Sequence, residues 1–115
     1  MTDWTYRAEL DRVVDGDTLD LRVDLGFKTY KKIRVRLLGV DTAEIFGVSK
    51  DTDEYKRGIQ QKRFVEKFLA ADGDWPITFI SEEESGKYGR WLGDCEVDGE
   101  LLTEALMNEW PEVEI

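Results

Sequence analysis

The sequence has no histidine, one cysteine and two prolines. The lack of histidine excludes imidazole acid–base chemistry, Ser-His and Cys-His nucleophile pairs, and histidine-ligated metals. A single cysteine, Cys95, excludes an internal disulfide, so either redox compartment is allowed. Cys95 stands in an apolar-alternating run, where a buried structural thiol is expected. With only Pro76 and Pro111, and no repeat or low-complexity stretch, no linker is evident. No run approaches the roughly 20 apolar residues that span a membrane. The opening Met1-Thr2-Asp3-Trp4 lacks the pattern of a signal peptide. The chain as written is therefore expected in the cytoplasm, and a leader removed upstream would make it secreted.

Basic residues are also missing from one region. Residues 91–115 hold eight acids and no Lys or Arg, whereas residues 1–90 hold 18 acids and 16 bases. The net charge of −10 argues against broad non-specific nucleic-acid binding. Residues 28–36 run the other way, with Lys28, Lys31, Lys32, Arg34 and Arg36 and no acid. That strip suits one anionic contact, and a solvated face is the plainer reading of both strips.

The 115 residues fit one domain with one modest core. Leu19, Leu21, Val23 and Leu25 alternate with Asp20, Arg22 and Asp24, the period of a half-buried strand. Asp15-Gly16 is expected to turn a hairpin from a strand around residues 8–14. Gly26-Phe27 closes the second strand, and Ile33, Val35 and Leu37 predict a third, with Arg36 on its opposite face. A helix is predicted over about 53–70, capped by Asp51 with Glu54. Its apolar stripe is Tyr55, Ile59, Val65, Phe68 and Leu69. A fourth strand is predicted over Trp75–Ile80 and a fifth from Arg90 to Val97. Asp98-Gly99 then turns into a short helix. Three strands, a helix, two strands and a helix match the β-rich five-stranded barrel called the OB-fold.

Three short constellations hold residues suited to chemistry. Asp15-Gly16-Asp17-Thr18 sets two carboxylates at a strand start. It is not an EF-hand, because the required Gly would fall at Asp20 and the closing Glu at Gly26. Arg36 to Glu44 supplies an arginine followed by Asp41 and Glu44 at a strand end. Hard cations such as calcium take oxygen ligands, which Asp17, Asp41 and the Thr42 carbonyl can offer. Glu44 then remains for acid–base work. Lys87-Tyr88-Gly89-Arg90 adds a second guanidinium, and two such forks match phosphate oxygens. Each constellation alone also reads as an ordinary turn.

Together the three resemble the motifs of the staphylococcal nuclease (thermonuclease) family. Val14-Asp15-Gly16-Asp17-Thr18 is similar to its first motif. Val35 to Glu44 is similar to its second, with Ala43 where the family usually has Pro. Lys87-Tyr88-Gly89-Arg90 is similar to its third. The resemblance spans residues 8–109.

It implies an OB barrel with flanking helices, here a single C-terminally shortened domain. It implies calcium held by Asp17, Asp41 and the Thr42 carbonyl. Glu44 is then general base on, or orients, a water that attacks phosphorus in line. Arg36 and Arg90 bind the phosphate. Lys87 and Tyr88 touch a terminal phosphate or base, and Asp15 shapes the first turn or adds outer-sphere contacts. The implied activity is cleavage of DNA and RNA, preferring single-stranded regions, with 3′-phosphate and 5′-hydroxyl ends. The acidic last quarter implies weak, salt-sensitive binding. The alternatives are a non-catalytic OB-fold module binding nucleic acid or protein, and an interaction domain using the acidic end.

Overall fold

The period-two alternation of the first half becomes three antiparallel strands: β1 (Thr5–Asp15), β2 (Thr18–Asp24) and β3 (Tyr30–Leu37). The structure is a computed structural model that describes residues 4–83 and 90–115. Helix α1 (Asp53–Leu69) follows, then β4 (Ile77–Glu83), β5 (Trp91–Val97), the two-residue β6 (Glu100–Leu101) and helix α2 (Leu102–Glu109). A 3-10 turn spans Pro111–Val113.

The strands form one sheet in the order β3-β2-β1-β4-β5-β6, and β3 pairs again with β5. That parallel pairing sets Val35 opposite Trp91 and Arg36 opposite Leu92. It closes a five-stranded barrel flanked by two helices, the OB-fold, and leaves β1 to β5 no free edge between them. Leu19, Leu21 and Val35 point into the barrel and are fully buried. Each such side chain contributes about 1.5–3 kcal/mol of burial.

The alternation ends earlier than the sequence suggests. Leu25 is 45% exposed, because β2 stops at Asp24. Gly26, Phe27 and Lys28 all take positive φ and reverse the chain. The fourth strand likewise starts at Ile77 rather than Trp75. Trp75 has a φ of 55°, and Pro76 has no N–H to give a ladder.

Helix α1 is capped by Thr52, not by the predicted Asp51. The Thr52 hydroxyl accepts from the Tyr55 N–H at 3.2 Å, while Asp51 takes the Ser49 hydroxyl. Its buried face is Gly58, Gln61, Val65 and Leu69, so only the second half of the predicted stripe points inward. Helix α2 has no cap from Leu101. Asp94 of β5 does that work from a distance in sequence, accepting the Thr103 N–H at 3.2 Å and the Thr103 hydroxyl. Phe64 of α1 meets Trp110, the residue directly after α2, and their rings cross edge to face at 5.3 Å.

Candidate active site

The β1–β2 hairpin makes the first part of the site. Asp15 pairs with Thr18, leaving Gly16 and Asp17 as the two-residue turn. Asp15 Oδ1 accepts the Asp17 N–H at 3.0 Å, an Asx turn that fixes the loop. Asp17 is buried despite its charge. Its Oδ1 accepts the Thr18 hydroxyl at 2.9 Å, and its Oδ2 accepts the Thr42 N–H at 3.0 Å and hydroxyl at 3.1 Å. Those bonds tie the first constellation to the second.

The two aspartates are pushed apart electrostatically. Burial, then the facing Asp17, raise Asp15 to about 7. Burial alone would raise Asp17 as well. The hydrogen bond shared with Asp15, the Arg36 charge and the donors on Thr42 and Thr18 outweigh it and hold Asp17 below the usual carboxylate range.

Arg36 projects from the outward face of β3, as its parity requires. Its Nη1 donates to the carbonyls of Leu37 and Val40, each at 2.7 Å. Its Nη2 lies 3.7 Å from Asp17 Oδ2 and 3.5 Å from Asp41 Oδ1. One edge of the guanidinium therefore holds the chain after β3 in a turn, and another joins two carboxylates. Asp41 is mostly exposed.

Glu44 is exposed, and its Oε1 accepts the Phe46 N–H at 3.2 Å. Its own N–H donates to Glu54 Oε2 at 2.7 Å, and the preceding Ala43 N–H donates to Gln61 Oε1 at 2.7 Å. The C-terminus grips the same segment from the other side. The Asp41 N–H donates to the Val113 carbonyl at 2.8 Å, and the Ile115 N–H to the Gly39 carbonyl at 3.1 Å. Glu54, Gln61 and Val113 are supports that the motif reading missed. The one available signal was a Gln one turn before Val65 on an otherwise apolar helix face.

Arg90 lies directly before β5, two residues ahead of Leu92, the register partner of Arg36. Barrel closure thus brings Arg90 beside the second constellation. Lys87 and Tyr88 lie outside the described residues. The basic strip is also changed by its neighbours. Arg34 makes a two-pronged bond to Asp20 at 2.7 and 3.0 Å, and Lys32 sits 3.9 Å from Asp11. Cross-strand acids therefore offset much of the charge that the linear sequence shows.

Asp17, Asp41 and the Thr42 carbonyl are oxygen donors only, the kind a hard cation takes. Among the described residues no group of three or more acidic, Cys or His side chains is gathered for a metal, so water would have to supply the remaining ligands. A cleft of about 200 Å³ adjoins Asp41 and Thr42 and runs to Glu54, Arg57 and Glu112. A separate apolar pocket of about 210 Å³, among Tyr6, Ile33, Phe79 and Trp91, includes none of the candidate residues.

No profile of a known protein family matches the chain. The chain is 32% identical over 100 residues to Endonuclease YncB of Bacillus subtilis (strain 168), covering 87% of this chain and 44% of that protein. It is 31% identical over 100 residues to the SPbeta prophage-derived endonuclease YokF of the same organism, covering 87% of this chain and 31% of that protein. The chain thus spans less than half the length of these relatives. With the closed barrel, and with Asp17, Arg36, Asp41 and Arg90 on adjoining elements, this likeness over most of the chain supports a nuclease family.

Proposed function

We propose that the chain is a calcium-dependent phosphodiesterase that hydrolyses DNA and RNA, prefers single-stranded regions and leaves 3′-phosphate ends. The observation that carries this reading is Arg36 held between Asp17 and Asp41. A fixed guanidinium beside hard oxygen donors suits a phosphodiester, which is anionic and repels nucleophiles. The endonuclease names of the relatives point to the same substrate class.

Each residue then has a distinct task. Asp17, Asp41 and the Thr42 carbonyl hold calcium, which when bound offsets phosphate charge and makes water more acidic. Arg36 and Arg90 bind the phosphate oxygens on which charge grows. Glu44 takes a proton from the attacking water. As the new bond to phosphorus forms, the bond to the 5′-oxygen breaks. That oxygen picks up a proton from solvent and leaves as a 5′-hydroxyl, with the phosphate kept on the 3′ side.

The test is incubation with single-stranded DNA, with calcium or with chelator, beside Glu44→Gln and Arg36→Ala. Cleavage is expected only with calcium, and loss of the general base should reduce kcat by about 10²–10⁴-fold. Cleavage indifferent to chelation or to either substitution overturns the mechanism. Nucleic-acid binding without cleavage at any protein concentration would instead support a non-catalytic OB-fold module.

A further inference from the structure

Helix α1 meets the chain after β3 through Glu54, Gly58 and Gln61, which share one helix face. Glu54 Oε2 accepts the Glu44 N–H, and Gln61 Oε1 accepts the Ala43 N–H, each at 2.7 Å. Gly58 sits between them and is buried. A Cβ there would come within 2.3 Å of Ile45 Cγ2 and 2.8 Å of the Ala43 carbonyl oxygen. The missing side chain is what lets the helix approach closely enough for both hydrogen bonds.

Gln61 is an unusual occupant of this face. It is 0% exposed, in line with Val65 and Leu69. Its Nε2 has no hydrogen-bond partner among the described residues. An amide buried with an orphan donor is less stable than an apolar side chain of equal volume. Such a group calls for a reason in its surroundings. The bond that its oxygen accepts from the Ala43 N–H, directly before Glu44, is that reason.

We propose that Gln61 is a positioning residue for Glu44, an inference that rests on the general-base reading above. Gln61 and Glu54 fix two consecutive amides, and the Phe46 N–H then fixes the Glu44 carboxylate. Gln61 touches no reacting atom. It sets where the backbone carrying the base lies, and a misplacement of about 1 Å can cost on the order of 100-fold in rate.

Gln61→Met keeps the volume and removes the acceptor. On single-stranded DNA its kcat is expected to fall about 10- to 100-fold with KM within about twofold, and without loss of stability to urea. Lost stability with unchanged kcat overturns the proposal, as does a change confined to KM. Ala43→Pro removes the N–H that Gln61 serves. In that background Gln61→Met is expected to alter kcat by less than about threefold, and the full loss recurring there also overturns it.

Should a variant fail to fold, amide exchange in the wild-type chain decides. The Ala43 and Glu44 amides are expected to be protected by at least about 100-fold over an open loop, and exchange at loop rates overturns the proposal. Failure of the underlying reading is distinguishable. A wild-type chain that cleaves nothing, or cleavage surviving Glu44→Gln, removes the general base itself. Cleavage that needs Glu44 but ignores Gln61→Met removes this inference alone.

Discussion

Asp17 accepts both the backbone N–H and the hydroxyl of Thr42 through a single oxygen, at 3.0 and 3.1 Å. These residues lie 25 positions apart, and the bonds between them lock the first hairpin against the turn after β3. A buried carboxylate is tolerable only when its acceptor sites are filled. Here Thr18 of the first constellation fills one oxygen, and Thr42 of the second fills the other.

The contact is tight, which makes Gly16 a sensitive position. A Cβ on Gly16 would lie 2.8 Å from both Thr42 Cγ2 and Oγ1. Gly16→Ala is therefore expected to cost about 1–3 kcal/mol, because Thr42 cannot retreat without breaking its bonds to Asp17. Thr42→Val, which loses only the hydroxyl bond, should cost about 1 kcal/mol. Urea unfolding of both variants in chelator measures this. A Gly16→Ala midpoint equal to wild type would contradict the packing described.

Arg36 is a structural post as well as a candidate phosphate ligand. Lysine can neither span the Leu37 and Val40 carbonyls with one planar group nor face Asp17 and Asp41 with another edge. Arg36→Lys is expected to lose about 1.5–3 kcal/mol of stability along with activity, since hydrogen bonds from a charged donor are at stake. Unfolding curves run beside rate assays separate the two effects. Unchanged stability in Arg36→Lys would show that the carbonyl contacts carry no weight.

Stability of the metal-free protein should fall as pH rises from about 4 to about 7. The folded chain holds the Asp15 proton up to about 7, against an ordinary value of 3.8. Between those values the folded state binds more protons than the unfolded state, so this contribution is present below the lower value and is lost through the upper one. Burial also raises Asp94, which acts with the same sign. Asp17 is lowered, so its contribution is lost only below the ordinary carboxylate range. Urea midpoints at pH 4.5 and 7.5, in wild type and Asp15→Asn, test this. The slope should flatten in the variant, and an equal slope in both would remove Asp15 as its source.

Asp94→Ala should destabilise helix α2 by about 1–2 kcal/mol, the range for loss of a helix cap. The Thr103 N–H and hydroxyl both lose their acceptor. Thermal unfolding gives the size of the effect. No change in midpoint would mean that the helix start is held by packing alone.

Much of the barrel was legible because strand burial has a period of two. Leu19, Leu21, Val35 and Leu37 announce which side faces inward, and Arg36 falls opposite by parity alone. Helix α1 was legible in extent but not in orientation. A stripe of Tyr55 and Ile59 looks as convincing as Gly58 and Gln61 until the Ala43–Ile45 segment lies against the helix. The cap at Thr52 rather than Asp51 depended on a one-residue choice that local composition does not decide. The acidic last quarter reads as a solvated face, yet Asp94 is half-buried because β5 delivers it to the start of a helix nine residues away.

By itself, the sequence determined the strand periodicity, the three constellations and the exclusion of histidine chemistry. Those are properties of residue type and near spacing, which a linear reading preserves. Only the tertiary structure decided that Arg36 bridges Asp17 and Asp41, that cross-strand acids offset the basic strip, and that Gln61 holds the turn before Glu44. Each depends on strand register or on helix approach. The β3–β5 pairing that sets Arg36 opposite Leu92, and the bare Gly58 that admits α1, exist only once residues far apart in the chain are packed together.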